Sequence, residues 1–318
     1  MEPIDSSSLP NSWERETLQS LLQEHQRERR SARRWRIFKS LLVLSVVAVL
    51  FFWGWGQTQR HPTVAGSHTA LVVVDGSIQS GGPNSAENII QGLRDAFEAP
   101  NSEAVVLLFN SPGGSPVQAG MVFDEVMRLK ALHGKPIYAV VEEMCASAAY
   151  YMAAATDEIF VNKASVVGSI GVLMDGFGFT QLMDKLGIER RLLTAGENKG
   201  FLDPFSPQTP AQKKHAKELL ESIHQQFIDA VRRGRGERLT DKPDLFSGLF
   251  WTGAKAVELG LVDDFGSLDY VAREVVKAED VVDYTLQEDL QERLVKQLGA
   301  SIGGGLWDQA KAVVWRWR

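Results

Sequence analysis

Cysteine is nearly absent from this chain of 318 residues, which contains only one. A single cysteine cannot form an internal disulfide bond, so cysteine usage does not indicate the redox compartment. No cluster of cysteine and histidine has the spacing of a metal site, and we expect neither zinc chemistry nor a cofactor. An excess of basic residues is also missing, since 34 Lys and Arg stand against 40 Asp and Glu, a net charge of -6. Nucleic acid is therefore not an expected partner, because its binding requires a basic face.

Histidine is missing from the middle of the chain, between His133 and His215. Within this interval Ser147 opens a run of small and apolar residues, and Lys199 lies in the polar segment GENKG. A serine needs a base to act as a nucleophile, and a lysine whose ammonium is destabilised by burial can be that base. The pattern therefore indicates a hydrolase with Ser147 as nucleophile and Lys199 as general base. Taken singly, the serine could instead be a small packing residue and the lysine an ordinary exposed one.

Charge is absent from residues 40–56, which read SLLVLSVVAVLFFWGWG. This run is near the lower limit of length for spanning a hydrocarbon core of about 30 Å. Trp53 and Trp55 lie at its far end, where indoles favour the membrane interface, and basic residues cluster within residues 27–39. The positive-inside rule predicts a single-pass anchor in the cytoplasmic membrane, with the N-terminus in the cytoplasm and residue 57 onward outside. A cleaved signal peptide is the alternative, but the polar leader is long and the run ends in Trp-Gly rather than in an Ala-x-Ala site.

Beyond residue 69, short apolar segments alternate with segments of helical spacing. Their lengths and β-branched composition are typical of buried strands. The predicted strands are residues 70–75, 104–109, 136–141, 158–161 and 169–173, and the predicted helices are residues 87–98, 118–132, 147–155 and 209–232. This short alternation of strand and helix predicts an α/β domain with a parallel sheet.

The segment Asn110-Ser-Pro-Gly-Gly114 directly follows a predicted strand. It is either a tight turn, which Pro-Gly supplies readily, or a place where bare glycine amides face an oxyanion. Six further motifs follow it in order along the chain. They are Ala146-Ser147 with Tyr150-Tyr151, VGSIGV over residues 167–172, Lys199 before Pro204-Phe205, Gly234-Arg-Gly236, Trp251-Thr-Gly253 and GLVD over residues 260–263. Over about residues 70–280 the chain resembles the signal peptide peptidase A family of membrane-anchored serine proteases, in its short, single-domain form.

The resemblance implies a fold like that of crotonase and of the Clp protease, and cleavage of residual signal peptides within or at the membrane. It makes Ser147 the nucleophile and Lys199 the general base of a serine/lysine dyad. The N–H groups of Gly114 and Ala148 are the expected oxyanion donors, since one donor commonly follows the nucleophile. Ser169 is expected to orient Lys199. The family also implies a small, apolar specificity pocket and a ring-shaped homo-oligomer, in which the neighbouring subunit supplies Lys199.

With this resemblance the chain divides into five predicted parts. They are a cytoplasmic basic tail (1–39), a transmembrane anchor (40–56), a linker (57–69), a serine protease domain (70–285) and a C-terminal helical tail (286–318). The last part contains Trp307, Trp315 and Trp317, and it could pack on a neighbouring subunit, lie in the membrane interface or form an ordinary terminal helix. The expected function is degradation of residual signal peptides and similar apolar peptides at the outer face of the cytoplasmic membrane.

The chain departs from the family beside the nucleophile, where Ala148 and Ala149 replace the usual glycines. An oxyanion donor needs only its N–H, so alanine can serve where φ is negative, whereas a positive φ would cost stability or geometry. This departure keeps a non-catalytic membrane scaffold open as the alternative function. A thiol nucleophile at Cys145 and a Clp-type Ser-His-Asp mechanism both lack a nearby histidine. An acyl-CoA enzyme of the crotonase type would explain neither the anchor nor Lys199.

Overall fold

A computed structural model describes residue 35, residues 37–49 and residues 66–286. Residues 37–49 are helical (α1) and belong to a different unit from Pro62–Glu288. Within these described ranges, no helix has the length and apolar character needed to cross a membrane. The predicted anchor runs on to residue 56, and its part from residue 50 lies outside the described residues. The anchor, the basic tail, the C-terminal tail and the domain boundaries therefore stay predictions.

An eight-stranded sheet lies at the centre of the unit Pro62–Glu288. Its strands are β1 (His68–Asp75), β2 (Ser102–Ser111), β3 (Ile137–Ala146), β4 (Glu158–Val161), β5 (Val166–Gly168), β6 (Phe250–Thr252), β7 (Asp264–Phe265) and β8 (Val281–Asp283). The main order is β6-β5-β3-β2-β1-β8, while β4 pairs with β3 and with β7. Among these strands every pairing is parallel except that of β5 with β6. The predicted α/β class with a mostly parallel sheet is confirmed.

Helices connect most of the strands, and local sequence chemistry sets where they begin. They are α2 (Ala86–Glu98), α3 (Pro116–His133), α4 (Ala148–Ala153), α5 (Thr180–Leu186), α6 (Pro210–Arg235), α7 (Gly253–Glu258) and α8 (Leu268–Tyr270), which continues as a π-helix over Val271–Val276. Ser115 caps α3 by accepting a hydrogen bond from the Gln118 N–H, and Pro116 occupies the first turn. Thr209 and Gln212 form a reciprocal capping box at the start of α6.

The strand β2 shows why the apolar runs of this sequence are continuous rather than alternating. Val105, Leu107 and Phe109 belong to the larger core cluster, which also includes residues of α2, α3, α4 and α6. Val106 and Leu108 belong to a smaller cluster, against which the helical residues of Leu268–Val276 pack. A parallel sheet covered on both faces needs apolar side chains at successive positions. The two clusters therefore explain the run AVVLLF.

The strand β3 changes partner along its length. Its first part, Tyr138–Val141, pairs with β4, and its second part, Met144–Ala146, pairs with β5. The register between β2 and β3 also shifts between Phe109 and Ser111. Such a shift redirects the end of a strand. The end of β3, where Ser147 follows, is thereby aligned with β5 and with the loop after β2.

The prediction of a strand over residues 169–173 is wrong. The strand β5 ends at Gly168, and both Gly168 (φ 101°) and Ser169 (φ 52°) have positive φ values, which interrupt strand geometry. The apolar residues that suggested a strand have other uses. Ile170 is buried in the core, while Val172 and Leu173 line a cavity described below.

Candidate active site

Ser147 lies at a sharp turn between the end of β3 and the start of α4. Its φ of 53° and ψ of -122° are unusual for a residue other than glycine, and such a conformation costs about 1–3 kcal/mol. Its N–H donates to the Gly168 carbonyl at 2.8 Å, and its carbonyl accepts from the Tyr151 N–H at 3.0 Å. These two hydrogen bonds use only backbone atoms of Ser147, so they hold its backbone at the turn without using its side chain. A serine on a strained strand-to-helix turn is the arrangement of a nucleophile elbow.

The glycine loop after β2 lies directly against this turn. A Cβ on Gly113 would come within 2.6 Å of the Ala146 carbonyl oxygen and 2.8 Å of the Ala148 nitrogen. A Cβ on Gly114 would lie 2.0 Å from the Ile78 carbonyl oxygen. Both residues also have positive φ values, 98° and 152°. Steric exclusion therefore requires glycine at both positions, whatever chemistry the loop performs.

Two backbone N–H groups are available beside Ser147. Neither the Gly114 N–H nor the Ala148 N–H donates to another residue in the part of the chain that the structure describes. Both residues line the same cavity as Ser147, which has a volume of about 590 Å³. Two unpaired N–H groups beside a nucleophile can stabilise the negative charge of a tetrahedral intermediate.

The alanines that replace the usual glycines cause no backbone strain. Ala148 and Ala149 begin α4 and are absent from the described residues of positive φ. The strained position is Ser147 itself. Both alanines are also buried, so their methyl groups contribute to the core. The condition under which alanine can supply an oxyanion donor is therefore met.

The structure does not place Lys199 among the residues that line the cavity with Ser147. The lysine lies in an exposed turn, where its N–H donates to the Gly196 carbonyl at 3.1 Å. Its ammonium makes no ion pair or hydrogen bond with another described residue. Ser169, by contrast, does line that cavity, with its N–H donating to the Leu249 carbonyl at 2.8 Å. The roles predicted for Lys199 and Ser169 stay predictions.

The described residues that line the cavity around Ser147 are mostly apolar, and none of them is charged. Its lining residues are Pro112, Gly114, Pro116, Ser147, Ala148, Tyr151, Ser169, Gly171, Val172, Leu173, Phe227, Ser247, Gly248 and Phe250. The Tyr151 ring stacks on Phe227, with centroids 4.8 Å apart, and meets the edge of Phe123 at 5.5 Å. Burial raises the pKa of Tyr151, so its hydroxyl stays neutral. Such a wall suits an apolar side chain.

A larger cavity of about 880 Å³ lies beside the middle of β3 and the end of β4, with Glu142, Glu143 and Lys163 among its lining residues. It contains none of the predicted site residues. In the ranges that the structure describes, no group of three or more His, Cys, Asp or Glu could hold a metal ion. The cavity at Ser147 is therefore the candidate active site.

Two alternatives to the predicted chemistry lose support at this site. Cys145 is wholly buried, and desolvation raises the pKa of its thiol well above the ordinary value, so the reactive thiolate is disfavoured. Among the residues that the structure describes, no histidine lines the cavity. His224, which sequence reasoning passed over, lies next to it, but its Nε2–H donates to the Ile170 carbonyl at 3.0 Å. His224 is not among the described residues that line the cavity, and this hydrogen bond ties its ring to the segment after Ser169.

Comparisons with known proteins agree with the motifs. The model of peptidase family S49 matches residues 130–282, a range that contains Ser147, Ser169 and Lys199. A protein from Methanocaldococcus jannaschii, provisionally named a protease, is 32% identical over 221 residues, which cover 67% of this chain and 70% of that protein. A protein from Enterococcus faecium, provisionally named signal peptide peptidase SppA, is 29% identical over 202 residues, or 64% of this chain and 58% of that protein.

A third relative carries a different name. A protein from Brucella melitensis named Na(+)/H(+) antiporter NhaA is 43% identical over 203 residues, which are 62% of this chain but only 28% of that protein. Its name describes the whole protein, of which the matched region is just over a quarter. The family model, by contrast, matches the residues that carry the site. By the family match and the relative from M. jannaschii, the chain belongs to peptidase family S49.

Proposed function

We propose that the chain is a serine endopeptidase in which Ser147 is the nucleophile and Lys199 the general base. The observation that carries the proposal is the position of Ser147, on a strained turn beside the unpaired N–H groups of Gly114 and Ala148. A fold related to crotonase and the Clp protease would place an oxyanion hole at this same edge of a sheet. The relatives from M. jannaschii and E. faecium, whose names are those of a protease and a signal peptide peptidase, support the same reaction.

The proposed reaction begins with attack by the Ser147 Oγ on the carbonyl carbon of a peptide bond. The hydroxyl proton passes to the neutral amine of Lys199, and the new oxyanion accepts hydrogen bonds from the Gly114 and Ala148 N–H groups. The resulting ammonium returns the proton to the leaving amine, and the C–N bond breaks. Water, activated by the same amine, then hydrolyses the acyl-enzyme. Ser169 lines this cavity, where it could orient the Lys199 side chain when that side chain enters the cavity.

We propose further that Lys199 acts in the cavity of a neighbouring copy, within a ring-shaped homo-oligomer. The segment that carries Lys199 exposes large apolar side chains, with Leu173 and Phe177 each 81% exposed and Leu193 95% exposed. Large apolar side chains that are exposed within one segment are a feature of interaction sites. Enclosing an ammonium in an apolar contact favours its neutral form, which is the form the reaction needs.

The proposed substrates are residual signal peptides and similar apolar peptides, at the outer face of the cytoplasmic membrane. The uncharged apolar wall of the cavity supports such substrates, because it offers no partner for a charged side chain. The uncharged run of residues 40–56 and the basic residues before it support a single-pass anchor with the N-terminus in the cytoplasm. Cleavage near the membrane surface would suit both features.

Mapping the cleavage sites in a panel of synthetic signal peptides tests this proposal. Detergent-solubilised wild-type protein should cut after small or branched apolar residues, and Ser147→Ala should cut none. A serine-directed fluorophosphonate should label the wild type, and signal peptides should slow that labelling. A wild-type protein that neither cleaves peptides nor reacts with the fluorophosphonate would support a non-catalytic scaffold.

A further inference from the structure

Ser111, the last residue of β2, carries a hydroxyl that the proposed mechanism does not use. The residue is fully buried and is paired with Cys145 on β3. Its Oγ accepts a hydrogen bond from the Gly113 N–H at 3.1 Å. A hydroxyl in a core is costly unless it has a partner, and a buried N–H without an acceptor is costly as well. The hydrogen bond between the Ser111 hydroxyl and the Gly113 N–H therefore offsets the cost of burying both groups.

The loop that follows is held from a second side by the backbone of Ile78. The Ile78 N–H donates to the Gly113 carbonyl at 3.0 Å, and the Ile78 carbonyl accepts from the Ser115 N–H at 2.9 Å. The N–H of Gly113, its carbonyl and the N–H of Ser115 are all engaged. Of the backbone N–H groups of Gly113, Gly114 and Ser115, only that of Gly114 has no described acceptor and is left for a ligand.

The geometry of the peptide bond shows why these contacts matter. The Gly113 carbonyl and the Gly114 N–H belong to one planar trans peptide and point in opposite directions. Anchoring the carbonyl on Ile78 therefore turns the Gly114 N–H away from Ile78, toward the cavity. Two consecutive glycines allow this peptide to rotate more freely than any other pair of residues. An extra bond on the preceding peptide, at the Gly113 N–H, opposes that rotation.

We infer that Ser111 is a positioning residue for the oxyanion hole, whose hydroxyl fixes the Gly113 N–H and so keeps the Gly114 N–H directed at the substrate carbonyl. The inference rests on the proposed serine peptidase function. Ser111 acts only through Gly113 and Gly114, so it contributes to binding of the transition state and not of the substrate. Its removal should therefore lower kcat and leave KM nearly unchanged.

The test compares Ser111→Ala with Ser111→Thr, which keeps the hydroxyl, and with Ser102→Ala as a matched control. Ser102 is another buried serine of β2, whose Oγ donates to the Ala104 carbonyl at the opposite end of the strand. For each full-length protein in detergent, kcat, KM and thermal unfolding are measured on a cleavable signal peptide. The affinity for a peptide boronic acid, which forms a tetrahedral adduct on the serine, is measured in parallel.

Loss of a single oxyanion donor typically lowers kcat by about 100-fold to 1000-fold, so a misdirected donor should lower it by roughly 10-fold to 100-fold. We expect that loss for Ser111→Ala, an equal loss in boronic acid affinity, and KM within about twofold of the wild type. Ser111→Thr should recover most of the rate, and Ser102→Ala should keep it.

Three results would overturn the inference. Ser111→Ala could keep its kcat, it could lose stability and rate in the same proportion as Ser102→Ala, or a Ser111→Thr protein as stable as the wild type could be as impaired in kcat as Ser111→Ala. The last result would show that packing, and not the hydroxyl, is what matters. Failure of the proposed function is a different result, because the wild type itself would then cleave no peptide and form no boronic acid adduct.

Discussion

The region around Ser147 is buried and closely packed, whereas the segment that carries Lys199 is open to solvent. Five of the six residues of α4 are buried, and glycines next to the turn leave no space for a Cβ. By contrast, no residue between Ile170 and Phe227 is buried. A segment with no fully buried residue has little packing with which to hold a catalytic group in place. One chain therefore brings together the proposed nucleophile and the N–H donors, and we propose that the base comes from another copy.

Mixing two inactive variants is the strongest test of whether the lysine comes from a different copy than the serine. Ser147→Ala and Lys199→Ala should each lower kcat by at least about 1000-fold. The two variants are dissociated or unfolded together and then reassembled. If Lys199 acts across subunits, about a quarter of wild-type activity should return, because random assembly places an intact lysine beside an intact serine in about a quarter of the sites. Peptide cleavage by the reassembled mixture is the measurement. An inactive mixture that contains full-sized assemblies would show that the lysine must come from the same chain.

Gly114→Ala should damage the packed region far more than Gly134→Ala does. At Gly114 a Cβ would meet the Ile78 carbonyl oxygen at 2.0 Å, while at Gly134, which also has a positive φ, nothing lies within 4 Å. We expect Gly134→Ala to cost about 1 kcal/mol of unfolding free energy and to keep its activity. Gly114→Ala should lose more stability and at least about 100-fold in kcat. Urea denaturation and peptide cleavage check both, and equal effects of the two changes would contradict the steric account.

Leu193→Glu should weaken assembly without unfolding the chain. Leu193 is 95% exposed, so a carboxylate there costs nothing in an isolated copy but is disfavoured in an apolar contact. We expect a smaller assembly in analytical ultracentrifugation, an unchanged Tm of the isolated copy and several-fold lower activity at low protein concentration. Leu132→Glu is the matched control, because Leu132 is 64% exposed at the end of α3, outside this segment. An unchanged assembly in Leu193→Glu would place the contact elsewhere.

The smallest expected effect is a loss of unfolding free energy at acid pH, caused by a carboxylate in the packed region. Hydrogen bonds from Arg128 and Arg94 lower the pKa of Glu125 to about 2, although burial opposes this. A lowered folded-state pKa stabilises the fold above the ordinary value of 4.5, and this contribution is lost as the pH falls from 4.5 toward 2. Because both arginines are about half exposed, we expect roughly 1 kcal/mol. Glu125→Gln should remove this part of the pH dependence in chemical denaturation, and an unchanged pH profile would contradict the pairing.

Much of the fold could be predicted because its signals are local. The run AVVLLF predicts a buried strand wherever it packs, and Thr209 with Gln212 marks a helix start by hydrogen bonds within one turn. The wrong prediction of a strand over residues 169–173 shows the converse, because contacts between distant segments decide the conformation there. The composition of this segment is that of a strand, but the positive φ values at Gly168 and Ser169 come from their contacts with β6 and the elbow, which no local pattern encodes.

The sequence by itself determined the α/β class, the order of the motifs, the family and the choice of Ser147, Gly114 and Lys199 as candidates. Each of these depends on residue type and on neighbours along the chain. Only the tertiary structure decided that strain lies at Ser147 and not at Ala148, that Ser111 contacts the glycine loop, and that Lys199 is not among the residues lining the cavity. Those facts depend on backbone conformation and on contacts between distant segments, which packing sets and composition does not.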